Sequence, residues 1–315
     1  MKKNILGKTG FKVSHLGFGT LPMGPLQLNL PLKKGVEIIQ YALEKGINFI
    51  DTAHIYGTYK YIKYALKKVK QKVFIASKTN AKEYQEVEKQ IQNALKQMNL
   101  KYLDIFLIHA PRINNPFEER SFAWKCLIDY KKKGLIKAIG LSSHSVKAIE
   151  SALEIKELDI IHPLINFSGL GILDGTKKEM LSVIKKAQKK EIGIYTMKSL
   201  AGGNLIDNRI KSLNFVLKQK SFHSIMIGMV KKDEVDYNVK FFNFEKIPNK
   251  LSQDTKKQTK KITILPFCKK CGKCIDTCPN KSLSMGENKP IVNKRRCLLC
   301  GYCTVVCPEF FIRLA

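Results

Sequence analysis

From residue 15 to residue 229 the chain repeats a short apolar run followed by a longer, mostly polar stretch, and this alternation limits the fold more than any other feature. Strand-like runs fall at 15–20, 47–52, 73–79, 103–110, 136–142, 159–167, 192–197 and 224–229. Apolar positions three and four apart mark helices at 32–45, 83–98, 117–133, 146–156, 176–189 and 207–220. Eight strand-and-helix units in roughly 240 residues match a closed α/β barrel of parallel strands better than an open doubly wound sheet. The open sheet also lacks its fingerprint: Gly17-Phe18-Gly19 runs into Thr20-Leu21-Pro22 and not into Gly-x-x-Gly. Ahead of the barrel, Gly7 and Gly10 between short apolar pairs predict a hairpin over 4–14. Gly46, Gly134 and Gly193, each between a Lys-bearing helix end and a strand, are expected to stop helices.

In a parallel barrel the C-terminal ends of all strands lie on one side, so the groups that close the strands should converge. The run NFIDTAHIYG (48–57) delivers Asp51 at a strand end and Tyr56 one turn later. VFIASKT (73–79) carries Lys78 at its end, and LDIFLIHA (103–110) carries His109. Any one of these alone reads equally as a structural ion pair or a solvated loop group; four in register read as a site. A carboxylate at a buried strand end is costly unless paired, and Lys78 is the expected partner of Asp51. A phenol titrating near 10 suits neutral pH poorly, and a nearby ammonium is expected to bring Tyr56 down toward the working range. His54 is expected to pack beside the site without acting in it.

The 56 Lys and Arg against 26 Asp and Glu leave a net charge of +30, which raises the question of a nucleic-acid or anionic-membrane partner. Only six of those residues are Arg, whereas phosphate and base recognition favours the guanidinium fork, and the lysines are scattered along helix-like stretches such as 59–72. The charge therefore reads as a Lys-rich surface, with neither nucleic acid nor membrane as partner. Met1-Lys2-Lys3 is followed by no apolar core, and no run is long enough to span a bilayer, so a cytoplasmic location is expected. Over 243–265 the pattern dissolves into Lys, Gln and Thr, which divides the chain into a barrel at 1–242, a linker with room for one helix, and a small domain at 266–315. Eight of the nine cysteines lie in that domain; Cys126 falls in a helical pattern as a small core residue.

Together LGKTGFKVSHLGFGT (6–20), NFIDTAHIYG, FIASKT (74–79), DIFLIHAP (104–111), IGLSSH (139–144) and MKSLAGG (197–203) resemble the aldo-keto reductases, over about residues 4–242. The resemblance implies a TIM (β/α)8 barrel that binds NADP or NAD across the C-terminal ends of its strands and interconverts a small carbonyl and an alcohol by hydride transfer. It implies catalytic roles for Asp51, Tyr56, Lys78 and His109: Tyr56 as general acid or base at the carbonyl oxygen, Lys78 as its activator, Asp51 as partner of Lys78, and His109 orienting the carbonyl. It places Thr20, Asp51, Ser142, Ser143, His162, Asn166 and Met197 at the nicotinamide, and Lys198, Gly202, Gly203 and the loop from Gly228 to Lys231 at the phosphates. Three positions depart from the family. His162 replaces a Gln, Met197 replaces a stacking Tyr, and Glu234 stands where an Arg often faces the 2′-phosphate, with Lys231 and Lys232 nearby; the choice between NADPH and NADH stays open. The loops after Thr20, Pro111 and Asn204 are expected to set the substrate.

CKKCGKCIDTCP (268–279) and CLLCGYCTVVCP (297–308) share the spacing C-x2-C-x2-C-x3-C-P at an interval of 29 residues. Thiolate tetrads also build zinc ribbons, but three thiolates at this spacing with a fourth before Pro form the bacterial ferredoxin run. The block resembles two-cluster ferredoxins, which implies one 4Fe-4S cluster on Cys268, Cys271, Cys274 and Cys307 and a second on Cys297, Cys300, Cys303 and Cys278. Nine Lys and Arg against three Asp and Glu from Cys268 onward suggest a landing surface for an acidic carrier, ferredoxin or flavodoxin. Nicotinamide exchanges a hydride whereas a cluster takes one electron, so a relay between them poses a problem that a flavin would solve, although no residue of the sequence calls for one. The expectation is a carbonyl or alcohol oxidoreductase whose clusters relay electrons to or from a carrier. Its rivals are clusters that are structural or sensory beside an ordinary reductase, and a barrel that does not bind nicotinamide.

Overall fold

In the computed structural model, which describes residues 1–110, 113–255, 261–308 and 311–314, the eight apolar runs pair side by side and close into a barrel. Its strands are β1 (Leu16–Gly19), β2 (Phe49–Asp51), β3 (Phe74–Thr79), β4 (Leu103–His109), β5 (Ile136–Ser143), β6 (Ile160–Pro163), β7 (Gly193–Thr196) and β8 (Ser224–Gly228). Neighbours are parallel throughout, and β8 pairs with both β7 and β1. The fold is the expected TIM barrel.

Side chains alternate across a strand, so every second residue points into the barrel. Phe49, Ala76, Leu107, Ile160, Tyr195 and Met226 form the inner apolar cluster. The next inward positions toward the C-terminal ends of β2, β3, β4 and β6 are Asp51, Lys78, His109 and His162, so the strand register itself stacks a polar layer on an apolar one. The opposite mouth is closed by the N-terminal hairpin, Lys3–Ile5 paired with Lys12–Ser14, whose Leu6 and Val13 join the inner cluster.

Several expected elements differ from those observed. The run at 159–167 yields only the four residues of β6, because Pro163 has no N–H to continue the ladder. The helix expected at 117–133 breaks at Arg120 into Pro116–Glu119 and Ser121–Lys132, and the freed Arg120 guanidinium donates to the His109 carbonyl at 3.1 Å. Gly46 and Gly134 take left-handed backbone as predicted, with φ of +89° and +74°; at the third site Glu191 takes it instead, and Gly193 is small because Leu6 packs against it. The linker stretch holds a helix, Asn249–Asp254, bound to the barrel through Arg209; residues 256–260 of it lie outside the described residues. No helix among the described residues is long and apolar enough to cross a membrane.

The strand Ile262–Ile264 pairs antiparallel with Ile312–Leu314, and a hairpin, Leu283–Met285 with Pro290–Val292, lies between two short helices, Lys273–Asp276 and Tyr302–Val305. The 29-residue repeat is visible in the backbone: Lys270 and Leu299 have φ of +52° and +46°, and Gly272 and Gly301, at +76° and +84°, cap the two helices.

Candidate functional site

Lys78 is fully buried, and its ammonium donates to Asp51 Oδ2 at 2.7 Å and to the Thr52 carbonyl at 2.8 Å. The other Asp51 oxygen accepts from the Tyr195 hydroxyl at 3.1 Å and lies 3.8 Å from His162 Nε2. Burial raises the Asp51 carboxyl and lowers the Lys78 ammonium, and each partner opposes the shift in the other. Tyr56 ends a tight turn after β2, with Gly57 behind it at φ +66°. Its ring stands 5.1 Å from Lys78 Nζ and meets the His109 ring edge-on at 5.9 Å. The four groups, contributed by the ends of three strands and the turn after β2, are thus gathered at one mouth of the barrel. The His54 ring pairs with that of Tyr59, centroids 6.4 Å apart.

One electrostatic expectation is corrected. The Lys78 ammonium bonds Asp51 and Thr52, not the phenol, and burial pushes Tyr56 well above its ordinary value, with Tyr302 and Asp51 adding to the rise. The phenol is held protonated. His109 is driven well below the usual imidazole range by burial and by the Lys78 ammonium, so its ring is neutral.

A groove leads outward from Asp51, Tyr56 and His162 past Met197 and Lys198, over Gly202 and Gly203, to Gly228, Val230 and Glu234. Of the residues the resemblance places at a dinucleotide, Asp51, His162, Met197, Lys198, Gly202, Gly203 and Gly228 line it; Thr20, Ser142, Ser143, Asn166 and Lys231 do not. The Thr20 hydroxyl bonds Asp51 O and Thr58, and the Ser143 hydroxyl donates to Ala110 O. The Asn166 amide is held by its own loop, donating to Leu170 O at 2.9 Å and accepting from Ser168 and Leu170 N. Pro111, expected to open a substrate loop, lies outside the described residues. Glu234 accepts from the Val230 N–H at 2.6 Å. The residues fit a dinucleotide in one respect: the bend at Gly203, φ +116°, leaves open space in the groove where a Cβ would stand.

Tyr195 and Arg209 were not anticipated. Tyr195 is the inward residue of β7; it stacks on His162 at 3.9 Å and braces Asp51. Arg209 lines the outer groove, lies 3.9 Å from the Tyr237 ring and donates to Ser252 and Thr255, which ties the linker helix to the groove. The alternation along β7 was the available signal for Tyr195; nothing in the sequence singled out Arg209.

The cysteines fall into two groups that cross the repeat. Cys278, Cys297, Cys300 and Cys303 line one small cavity, whereas Cys268, Cys271 and Cys307 act electrostatically on Cys274. Burial raises the Cys274, Cys297, Cys300 and Cys303 thiols and the neighbouring cysteines add to the rise, while Lys198 opposes it at Cys297 and Cys300. Each group is an all-thiolate set of four, the donor chemistry of a 4Fe-4S cluster. Among the described residues no three potential ligands come close enough to surround a single metal ion.

The second cysteine loop lies on the mouth of the barrel. The Asn204 amide donates to Cys297 O at 2.8 Å, Gln27 to Cys300 O at 3.3 Å, and Asn280 joins His144 Nδ1 at 2.9 Å to Gly171 O at 3.0 Å. A Cβ at Gly202 would stand 1.9 Å from Leu298 O, and one at Gly301 1.7 Å from Leu26 O. The repeat explains which copy docks. Where the first loop has Lys269, Lys270 and Lys273, all exposed, the second has Leu298, Leu299 and Tyr302. That asymmetry is the sequence signal for the contact.

The profile of the aldo/keto reductase family matches residues 15–214, and that of a 4Fe-4S dicluster domain matches residues 267–312. The chain belongs to the aldo/keto reductase family and carries a 4Fe-4S dicluster domain at its C-terminal side. It is 32% identical over 178 residues to rat aldo-keto reductase family 1 member A1, covering 48% of this chain and 53% of the relative. It is 30% identical over 183 residues to the aldo-keto reductase YhdN of Bacillus subtilis, covering 53% and 54%. The chain therefore spans about half the length of these relatives. Among solved structures, aldo-keto reductase AKR11C1 of Bacillus halodurans superposes with a TM-score of 0.65 at 20% identity, covering 80% of this chain and 94% of that one, a likeness of fold.

All six histidines are depressed, mainly by burial, His15 to about 4 and His144 to about 3. The unfolded chain binds these protons near pH 6.5 and the native chain does not, so their stabilising contribution is complete above pH 6.5 and is lost as pH falls toward 4 and 3. The thermal midpoint, followed by circular dichroism, should fall steadily between pH 6.5 and 4; a flat profile would contradict the buried neutral assignment.

Proposed function

We propose that the protein is an oxidoreductase that interconverts a small carbonyl and an alcohol with NADP or NAD in the groove, and that its two 4Fe-4S clusters relay electrons between a carrier and the barrel. The observation that carries this is the docking of the Cys297–Cys303 loop on the mouth that holds Asp51, Tyr56, Lys78 and His109.

A bound reduced nicotinamide supplies a hydride. In the reductive direction, Tyr56 donates its phenolic proton to the carbonyl oxygen as negative charge grows there, and burial keeps that proton on the ring until then. The Lys78 ammonium, 5.1 Å from the ring, stabilises the phenolate left behind, and Asp51 holds Lys78 in place. The neutral His109 ring orients the oxygen, with Arg120 fixing its backbone. His162 and Ser142 would hold the nicotinamide amide, while Met197 packs beside its ring; Lys198, Gly202, Gly203 and Gly228 would receive the phosphates.

Two reduced clusters hold one electron each, and with one proton from solvent these make up the hydride of one reduced nicotinamide; because the clusters give their electrons singly, a flavin would ease the exchange. The group of Cys297 faces the barrel, while the loop of Cys268 carries exposed Lys269, Lys270 and Lys273, so a carrier would land at the Cys268 loop and the Cys297 group would serve the barrel. An acidic carrier, ferredoxin or flavodoxin, fits that surface. Reversing Lys269, Lys270 and Lys273 to Glu should slow association with a ferredoxin at least tenfold at low salt and flatten its ionic-strength dependence. Stopped-flow rates unaffected by charge reversal or salt would remove this surface from the account.

A second reading has support in Glu234, whose carboxylate lies in the groove, and in the Asn166 amide, which is held by its own loop. On that reading no nicotinamide binds in the barrel. Equilibrium titration with NADPH and NADH, followed by protein fluorescence, distinguishes the two.

A further inference from the structure

We propose that Tyr302, carried by the second cysteine loop, is a positioning and size-limiting residue of the barrel's carbonyl site, so that the site is complete only when the iron–sulfur domain is docked. This rests on Tyr56 and His109 being the pair that binds the substrate oxygen. The Tyr302 hydroxyl lies 3.4 Å from His109 Nε2, and its ring meets that of His109 edge-on at 6.3 Å. Its ring packs with Leu26, Ala53 and Tyr56, the wall beside the site. The groove reaches Tyr56 but is lined by neither His109 nor Tyr302; Tyr302 lies against His109 and separates it from the groove.

The loop is built to hold this ring in place. Gly301 adopts φ +84° and lies so close to Leu26 O that no side chain fits, which lets the first residue of the helix Tyr302–Val305 enter the barrel mouth. The equivalent residue of the first loop, Lys273, is exposed. The cluster fold therefore needs no aromatic group at this position, and the barrel contact accounts for it. Two consequences follow from the geometry. The hydroxyl holds the His109 ring toward the point where it meets Tyr56, and the Tyr302 ring, packed against Tyr56, limits what can enter beside it.

An anionic carboxylate accepts hydrogen bonds as a carbonyl oxygen does, and its binding is read without turnover. Acetate and 2,2-dimethylpropanoate are titrated calorimetrically into the full-length, cluster-loaded protein and into Tyr302→Phe and Tyr302→Ala, with visible absorbance checking that the clusters remain. The unaltered protein should bind acetate and discriminate against 2,2-dimethylpropanoate by more than tenfold. Tyr302→Ala should abolish that discrimination. Tyr302→Phe should keep it while weakening acetate about fivefold, the loss expected for one hydrogen bond. Equal discrimination in all three proteins overturns the proposal, as does absence of acetate binding from all of them. If Tyr302→Ala loses its clusters, unchanged acetate affinity in Tyr302→Phe overturns it. A carboxylate pattern that follows Tyr302 in a protein unable to reduce any carbonyl with NADPH or NADH would reject the proposed reaction and leave this inference standing.

Discussion

Tyr56→Phe should lower carbonyl reduction by about 10²–10⁴-fold, the range for loss of a positioned general acid, while dinucleotide affinity stays within about twofold. The substitution removes one oxygen and keeps the ring that packs against His109 and lies near Lys78. No neighbour is ready to replace the proton. His109 is neutral, and the proton of Lys78 is held by Asp51 and Thr52. Single-turnover rates with bound NADPH and a small aldehyde measure the chemical step apart from product release. Turnover equal to that of the unaltered protein would remove Tyr56 from the reaction.

The second large effect concerns the crossed cysteine groups. Cys278→Ser and Cys307→Ser should each halve the iron content, from about eight to about four atoms per chain, but should remove different clusters. Cys278 sits with Cys297, Cys300 and Cys303 on the barrel side, so its loss should leave a reduced-cluster EPR signal insensitive to ligands of the groove. Cys307 sits with Cys274, and its loss should leave the barrel-side cluster, whose signal responds to them. Identical residual spectra in the two variants, or zinc in place of iron, would contradict the assignment.

Most of this arrangement was legible in the chain. The alternation that defines the barrel survives because each strand is buried on both faces, which forces apolar runs whatever the loops do. Asp51, Lys78 and His109 were visible for a related reason: each is a charged or titratable group ending such a run, and although any one could be a structural pair, together they mark one mouth of a parallel barrel. Less visible was anything that depends on two distant segments meeting. Tyr195 and Tyr302 both touch the tetrad, yet one looks like an ordinary strand residue and the other like a spacer between two cysteines. The Asn166 amide looked free because nothing in the sequence shows the turn of 166–170 folding back on it. The direction of the Tyr56 shift failed for a related reason: adjacency to Lys78 was foreseen, but the depth of burial that outweighs it was not.

The central claim is that electrons pass between the docked cluster and the groove. The direct measurement begins with anaerobic, photochemically reduced protein that shows the EPR signals of both clusters, to which NADP or NAD is added while absorbance at 340 nm is followed. The account predicts that both signals disappear and that one reduced nicotinamide forms for every two cluster electrons lost. Clusters that stay reduced beside a bound, unreduced dinucleotide would contradict it.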